Sequence, residues 1–251
     1  MKRRVIAFDL DNTLAASKSP ITERMAGLLN KLLQEFKVCV ISGGKFEQFE
    51  EQLLSHLTAT PQTLAALHIM PTCGTRYLRF DAAANDWQQV YAEDLTADER
   101  AKIVAALDGA ADDLGYRAKK LWGAQIEDRG SQVTFSALGQ EAPVARKVAW
   151  DPDGAKKQKL RDYVAKAVPE FEVRVGGSTS IDVTKPGIDK AYGIAKLIDL
   201  LGLTKKDVMF IGDRLSKGGN DYPVKAMGVD CLEVARGQDT ALVIEAMLGV
   251  T

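Results

Sequence analysis

The stretch Phe8–Leu14, with the sequence FDLDNTL, decides the fold. It begins where the apolar run Val5–Phe8 ends, and such a run is typical of a short buried strand. Two carboxylates, Asp9 and Asp11, therefore come just where that strand should end. Residues two apart in an extended chain point to one face, and two neighbouring buried anions are costly unless a cation lies between them or one is protonated. The stretch predicts a metal site at the end of a strand.

A second acidic stretch, Ile211–Asp221 (IGDRLSKGGND), follows another apolar run, Val208–Ile211. Taken alone, it could be a solvated turn bent by its glycines. Ligand sites in parallel sheets, however, lie beyond the carboxyl ends of the strands, and Asp213 stands at such an end. Together with the two carboxylates of the first stretch it offers hard oxygen ligands, which Mg²⁺ prefers. The sequence therefore predicts a Mg²⁺ site shared by two strand ends.

Strand and helix patterns alternate at both ends of the chain, which predicts an α/β fold with a parallel sheet formed by residues 1–82 and 187–251. Between them, residues 83–186 have a different rhythm. Alternating runs such as Trp87–Tyr91 and Gln132–Phe135 predict an antiparallel sheet with accompanying helices. The middle segment is therefore interpreted as a second α/β domain inserted into the first.

The composition gives no support for several classes of function, although local basic patches remain possible. The chain has 251 residues, of which 46% are hydrophobic, and a formal net charge of −1, so it can bury a large core but has no excess positive charge for nucleic acid or anionic lipid. The N-terminal sequence does not fit a signal peptide, and no apolar stretch approaches the length of a membrane span. These features predict a cytoplasmic protein without nucleic-acid or membrane partners.

Five motifs stand in an order that resembles a known superfamily. They are Asp9–Thr13 (DxDxT), Ser42 after the second strand, the later Lys190, Gly212-Asp213, and Asn220-Asp221. In this order and strand context the chain resembles the haloacid dehalogenase-like superfamily of aspartyl-phosphate phosphatases and phosphotransferases. The resemblance implies a Rossmann-like parallel-sheet core and Mg²⁺ as the cofactor.

Further stretches are similar to one subgroup, the eukaryotic-type phosphomannomutases. They are Gly43–Glu47, Gly176–Val183, Pro186–Lys190 and the loop Gly212–Asp221. The resemblance spans nearly the whole chain. It implies that residues 83–186 form an α/β cap of the C2B type, which sets substrate specificity, and that a homodimer through the cap is possible.

The same resemblance implies roles for core residues. Asp9 would attack the phosphorus of a phosphate monoester, and Asp11 would serve as the general acid and then the general base. Residues implied to hold Mg²⁺ or to orient its ligands are Asp9, Asp11 through its backbone carbonyl, Asp213, Asn220 and Asp221. Residues implied to bind the phosphoryl oxygens are Ser42, the Asn12 amide and Lys190.

The resemblance also implies a substrate-binding set, which comprises Lys18, Gly43, Arg129, Gln140, Arg146 or Lys147, Ser180 and Asp182. Two members depart from the arginines of the subgroup. Lys18 keeps the charge but loses the planar fork, whereas Gln140 loses the charge, and a charged hydrogen bond is worth about 1.5–3 kcal/mol. A mutase must hold a distal phosphate, so this thinner basic cluster favours a phosphatase.

The preferred hypothesis is a Mg²⁺-dependent phosphatase that hydrolyses a sugar phosphate or similar small phosphomonoester through Asp9. The alternative is a hexose phosphate mutase such as a phosphomannomutase, which shares the first half-reaction but returns the phosphoryl group to the sugar. A third hypothesis, from a different class, is a non-catalytic sugar-phosphate sensor on the same fold.

Overall fold

A computed structural model describes residues 4–249, except for the side chain of Val144. The strands are β1 (Val5–Phe8), β2 (Lys37–Ile41), β3 (Leu67–Met70), β4 (Arg76–Asp81), β5 (Asp86–Ala92), β6 (Ile126–Asp128), β7 (Gln132–Ser136), β8 (Glu172–Val175), β9 (Ser180–Thr184), β10 (Val208–Gly212) and β11 (Asp230–Glu233). The α-helices are α1 (Glu23–Glu35), α2 (Phe46–Gln52), α3 (Pro61–Leu64), α4 (Ala97–Asp113), α5 (Val144–Trp150), α6 (Ala155–Ala167), α7 (Lys190–Leu200), α8 (Tyr222–Ala226) and α9 (Gly237–Gly249). None of the described helices is both long and apolar enough to cross a bilayer.

The larger sheet has seven strands in the order β11-β10-β1-β2-β3-β4-β5. The five strands from β11 to β3 are parallel, and β4 and β5 add antiparallel pairs at one side. Side chains of β1 alternate between two cores, because Ile6 and Phe8 pack with α1 and α9 while Val5 and Ala7 pack with α7. Both faces are covered, as expected for a parallel sheet.

The smaller sheet is antiparallel throughout and has four strands in the order β6-β7-β9-β8. Its core is formed by apolar residues of α4, α6 and the strands, among them Leu107, Phe135 and Leu160, which are fully buried. The predicted fold class, an α/β protein with a parallel sheet and a separate inserted α/β part, is confirmed.

The chain forms two compact units, and their division differs from the predicted boundaries. The first unit contains Met1–Ala92 and Asp189–Thr251, and the second contains Glu93–Ile188. The assignment of Trp87–Tyr91 to the inserted sheet was wrong, because β5 pairs with β4 in the seven-stranded sheet. Residues 83–92 therefore belong with the first unit. Residues 1–3 and 250–251 of the predicted core lie outside the described residues.

Two glycines bring α7 against the turn that follows β3. A Cβ on Gly193 would lie 2.5 Å from Ile41 Cδ1 and 2.6 Å from the Cys73 carbonyl oxygen, and a Cβ on Gly74 would lie 2.4 Å from Gly193 Cα. Real Cβ atoms do not approach other atoms this closely, so the contact requires glycine at both positions. It fixes the start of α7 close to the strand ends.

We expect Gly193→Ala to lower the free energy of unfolding by about 1–3 kcal/mol, because the added methyl group overpacks this contact. Urea unfolding of the parent and the variant measures the change. The matched control is Gly27→Ala in the same unit, where nothing lies within 4 Å of the added Cβ. This helix-interior substitution should instead stabilise by about 0.5–1 kcal/mol. Equal effects of the two substitutions would contradict the prediction.

His68 is a buried histidine in β3, the strand between β2 and β4. His68 is 1% exposed, and its Nδ1 shares a hydrogen bond of 2.7 Å with the Tyr77 hydroxyl. Its Nε2 is buried and has no hydrogen-bond partner among residues 4–249. Burial, with smaller contributions from the charges of Arg79 and Lys37, lowers the pKa of His68 to about 3. The folded protein therefore keeps this imidazole neutral.

The low pKa of His68 predicts a loss of stability in mild acid. Below the ordinary histidine pKa of about 6.5 the unfolded chain binds a proton that the folded chain does not, so stability falls as the pH falls from there towards 3. The slope contributed is at most about 1.4 kcal/mol per pH unit. Urea midpoints at pH 7.5 and 5.5 should differ less in His68→Gln than in the parent. The control is His56→Gln, at an exposed histidine. If His56→Gln reduced the difference between the two urea midpoints as much as His68→Gln does, His68 would not be the cause of the pH dependence.

Candidate active site

The carboxyl ends of three neighbouring parallel strands meet at one edge of the seven-stranded sheet. Asp9 follows β1, Ser42 follows β2, and Asp213 follows β10. Asp9 continues the ladder for one more residue, since its backbone N–H donates to the Ile211 carbonyl oxygen at 3.0 Å. The parallel register therefore brings together polar side chains that are distant in sequence.

The first residue of α7, Lys190, lies between two of the acids. Its Nζ is 2.5 Å from Asp9 Oδ1 and 2.5 Å from Asp221 Oδ1. The three side chains are almost completely buried, with exposed fractions of 5% or less. The second oxygen of Asp9, Oδ2, accepts a hydrogen bond from Thr13 Oγ1 at 3.2 Å. Asp9 is thus held from both sides.

The loop after β10 folds tightly around Asp221. Oδ2 of this residue accepts the Arg214 backbone N–H at 3.0 Å, and its own N–H donates to the Arg214 carbonyl oxygen. A Cβ on Gly212 would lie 2.5 Å from Asp221 Oδ2, and one on Gly219 would lie 2.1 Å from the Arg214 carbonyl oxygen. These glycines explain the composition of the loop: only residues without a side chain let the backbone close on the carboxylate.

The charges of the cluster do not balance. One ammonium group faces three carboxylates, and one oxygen each of Asp9, Asp213 and Asp221 lies within 4.8 Å of the others. Burial raises the pKa of Asp9; Lys190 opposes this, and Asp221 and Asp213 add to it. Burial and Asp221 likewise raise the pKa of Asp213. For Lys190, burial alone would lower the pKa, but the two carboxylates outweigh it and raise the pKa.

The donor set fits a hard divalent cation. Asp9 and Asp213 directly follow the neighbouring parallel strands β1 and β10, and an oxygen of each lies within 4.8 Å of the other, so both are suited to contact one metal ion. Mg²⁺ is bound in proteins by one or two carboxylates and by waters or phosphate oxygens, which matches this arrangement. A cation would also offset the excess negative charge of the cluster.

Asp11 is directed to a different set of partners, which the sequence did not indicate. Its Oδ1 accepts the Lys18 backbone N–H at 2.7 Å and Gln52 Nε2 at 3.3 Å, and its Oδ2 accepts Gln48 Nε2 at 3.1 Å. The two glutamines lie one turn apart on α2 and are themselves linked by a hydrogen bond of 2.6 Å. A signal for these partners is present in the sequence: two glutamines four residues apart lie on one face of a helix that starts shortly after Ser42.

The other predicted core residues surround this cluster at different depths. Ser42 is buried, and its Oγ accepts the Gly44 N–H at 3.2 Å, with the half-buried Gly43 between them. Asn12 is exposed and left-handed (φ 62°), and its Nδ2 lies 3.5 Å from Asp213 Oδ2. Lys18 is exposed and contributes its backbone N–H to Asp11. Asn220 is exposed, and no hydrogen bond joins its amide to the described part of the cluster.

In the second unit, three of the predicted substrate-binding residues are linked to one another. Arg129 Nη2 donates to Gln140 Oε1 at 3.4 Å, and Lys147 Nζ donates to the Gln140 carbonyl oxygen at 2.9 Å. Arg129 also forms an ion pair with Glu127, at 2.7 Å, in which both side chains are mostly buried. Much of the positive charge of Arg129 is therefore neutralised within the unit, which the sequence did not indicate.

The remaining predicted residues of the second unit lie in two places. Ser180 and Asp182 are two residues apart on β9, so their side chains lie on the same face of the smaller sheet. Asp182 Oδ1 accepts hydrogen bonds from Thr134 Oγ1 at 2.7 Å and Gln132 Nε2 at 2.9 Å. Arg146 is exposed and lines a separate cavity, so of the two alternatives at this position Lys147 is the one that joins Gln140.

Comparison with known proteins identifies the family. A family model for haloacid dehalogenase-like hydrolases matches residues 6–223, which include the carboxylate cluster and most of both units. The chain belongs to the haloacid dehalogenase-like hydrolase family. This membership bears out the superfamily resemblance of the five motifs and makes the chain an enzyme of the haloacid dehalogenase type.

Among members of the family, the chain is similar to phosphomannomutases. It is 23% identical to a probable phosphomannomutase of Caenorhabditis elegans over 234 residues, which covers 89% of this chain and 87% of that protein. It is 26% identical to human phosphomannomutase 1 over 242 residues, covering 90% and 84%. The solved structure of an N-terminally truncated Plasmodium falciparum IMP-nucleotidase has the same fold, with a TM-score of 0.72, 17% identity and coverage of 100% of this chain and 71% of that one.

We expect Asp213→Asn to weaken Mg²⁺ binding by about tenfold or more, because a neutral amide replaces one of the two carboxylates suited to contact the ion. Isothermal titration of the protein with MgCl₂ measures the affinity. The control is Glu35→Gln, which removes the same charge from an exposed position at the end of α1. An equal loss of affinity in both variants would show that net charge alone, and not this cluster, attracts the ion.

Proposed function

We propose that the protein is a Mg²⁺-dependent phosphatase that transfers the phosphoryl group of a small phosphomonoester to Asp9 and then to water. The observation that carries the proposal is the buried contact of Asp9 with Lys190, which is itself fixed by Asp221. A carboxylate held in this way is oriented for attack on phosphorus, and a covalent aspartyl-phosphate divides the transfer into two easier steps. Lys190 would stabilise the charge of the transferred group, and Ser42 and the Asn12 amide would bind its oxygens.

Asp11 is the proposed proton donor and acceptor. Protonated, it would give its proton to the leaving oxygen; as a carboxylate, it would then take a proton from the attacking water. Gln48 and Gln52 hold its two oxygens on the side of α2. We infer that these amides are positioning residues, which set the orientation of Asp11 before the substrate replaces one of the hydrogen bonds.

The proposed metal ligands are the side chains of Asp9 and Asp213 and the backbone carbonyl of Asp11. Asp221 and Asn220 would act behind them, Asp221 through its hold on Lys190 and on the loop. When bound, Mg²⁺ would supply positive charge that offsets the charge of the phosphoryl oxygens.

The second unit is proposed as the cap, with the first unit as the core. Arg129, Gln140 and Lys147 would meet the distal part of the substrate, and Ser180 and Asp182 would bind hydroxyl groups of a sugar. Hydroxyl recognition by Asp182 is supported by its polar neighbours, Gln132 and Thr134. A homodimer through this unit and a cytoplasmic location stay predictions from the sequence.

Water is the proposed acceptor because the cap residues proposed to meet the distal part of the substrate offer little charge for a second phosphate. Gln140 is neutral, and Arg129 is paired with Glu127. A mutase binds a sugar bisphosphate in two orientations, so it depends on a distal phosphate site more than a phosphatase does. Hydrolysis of a sugar phosphate makes no such demand.

A hexose phosphate mutase is the second candidate. It is favoured by the relatives named phosphomannomutase, which match about nine-tenths of this chain. The two candidates share the transfer to Asp9 and differ only in whether water or a sugar hydroxyl accepts the phosphoryl group.

Phosphorus NMR distinguishes them. The protein is incubated with Mg²⁺, mannose 1-phosphate or glucose 1-phosphate, and a trace of the corresponding 1,6-bisphosphate. We expect inorganic phosphate to accumulate, and Asp9→Asn to abolish the signal because an amide is a poor nucleophile. Turnover should fall by at least about 10³-fold, since Asp9 is the group that forms the covalent bond.

The possible outcomes separate the hypotheses. Appearance of the 6-phosphate would replace the phosphatase by the mutase. Turnover that survives in Asp9→Asn would refute the proposed nucleophile in either case. A parent and variant that both bind Mg²⁺ and ligand but show no turnover on a panel of sugar phosphates would favour the non-catalytic sensor.

A further inference from the structure

A cavity of about 400 Å³, wide open to solvent, lies on the second unit at the end of α4. It lies between the segment that follows this helix, the end of β7 and the helix α5. Its lining residues are Gly115, Tyr116, Arg117, Ala118, Lys119, Lys120, Trp122, Leu138, Arg146, Ala149 and Trp150. Three of the eleven are aromatic, four are positively charged and none is acidic.

Neighbouring residues hold the aromatic walls in place. Tyr116 and Trp150 meet edge to face, with ring centroids 5.4 Å apart and an interplanar angle of 81°, and both pack on the core of the unit. Lys156 holds Trp150 through a hydrogen bond to its carbonyl oxygen and lies over its ring at 5.0 Å. The backbone of Trp122 is bound on both sides, by the Leu138 carbonyl oxygen and by the Glu141 N–H. The Tyr116 and Trp150 rings, held in this way, can stack on a ligand without first being ordered.

The positive charges are of two kinds. Arg117 is neutralised by Asp108 and Asp112, at 2.9 and 2.6 Å. Lys120 lies over the Trp122 ring at 4.9 Å without an acidic partner within residues 4–249. Lys119 and Arg146 are exposed, and the described part of the chain gives their side chains no hydrogen bond or ion pair.

Three of the acids near this cavity are already engaged. Asp108 and Asp112 bind Arg117, and the carboxylate of Asp151 accepts the backbone N–H groups of Lys156 and Lys157 at the start of α6. Glu141 adds one carboxylate next to Gly123, so the three cations Lys119, Lys120 and Arg146 still outnumber it, on a chain whose net charge is −1. Such a local excess of one sign attracts an oppositely charged ligand.

The cavity is separate from the residues proposed to bind the substrate. Of that set only Arg146 lines it, and Arg129, Gln140 and Lys147 are joined to one another elsewhere in the unit. The charge of Arg146 is therefore not used by the proposed sugar-phosphate site.

Flat aromatic rings and free cations around one cavity recognise a ligand that has both a flat ring and anionic groups. A base stacks on aromatic side chains, and cations bind the phosphates. We propose that this cavity is a binding site for a nucleoside di- or triphosphate, whose base contacts Trp122 and Trp150 and whose phosphates contact Lys119, Lys120 and Arg146.

The three tryptophans of the chain provide the signal for a test. Trp122 and Trp150 line the cavity, whereas Trp87 contacts Phe46 and Phe80 in the first unit. Tryptophan fluorescence is followed while the full chain is titrated with ADP, adenosine or pyrophosphate, in a buffer with EDTA so that Mg²⁺ is absent. We expect saturable quenching by ADP, and a tighter affinity for ADP than for either of its parts.

Two substitutions locate the binding. Arg146→Ala should weaken ADP binding by about tenfold or more, and Lys119→Ala by severalfold, because each removes a charged hydrogen-bond donor. The matched control is Lys159→Ala, at an exposed lysine of α6 that does not line the cavity. It should bind ADP like the parent. All three positions are exposed, so folding should be retained, and circular dichroism checks this.

Three results would overturn the proposal. The first is the absence of saturable quenching by millimolar ADP. The second is equal affinity for pyrophosphate and ADP, which would mean an anion site without base recognition. The third is unchanged ADP affinity in both Arg146→Ala and Lys119→Ala, which would locate any binding elsewhere. The test measures binding without turnover, so its outcome is independent of the proposed phosphatase activity.

Discussion

The buried ammonium group of Lys190 is the interaction on which the site depends. It contacts Asp9 and Asp221 at 2.5 Å, and all three side chains are nearly inaccessible to water. Removing one partner from such a group leaves an uncompensated buried charge, which typically costs about 3–5 kcal/mol. The protein must therefore bring the end of β1, the loop after β10 and the start of α7 to one point.

The surrounding backbone meets this requirement with close approaches. Gly74 and Gly193 let α7 begin next to the strand ends, and Gly212 and Gly219 let the loop close on Asp221. Even so, three carboxylates share one ammonium group. The imbalance is the electrostatic reason why the arrangement suits a divalent cation and a phosphoryl group together, since the cation offsets the acids and the ammonium group also attracts the phosphate.

Much of this could be predicted from the sequence, because strand-end acids and helix caps are local signals. The capping box Thr96–Glu99 begins α4 as its residues indicate. The features that could not be predicted depend on contacts between residues that are far apart in the sequence. The alternation in β5 does not reveal which sheet it joins, and Gln48 and Gln52 look like polar surface residues until Asp11 is placed beside them. The cavity beside Trp150 likewise combines segments that no short motif connects.

The insertion of the second unit between Ala92 and Asp189 also has a consequence for co-translational folding. β1 is an interior strand of the finished sheet, but its neighbour β10 is synthesised about 200 residues later, after the whole inserted unit. During that interval one edge of β1 has no partner, and Asp9 has no Lys190. Unpaired strand edges favour aggregation. We therefore expect a nascent chain of this kind to benefit when the inserted unit folds before β10 is synthesised. α7 and β10, which follow that unit in the chain, can then complete the site and pair with the free edge of β1.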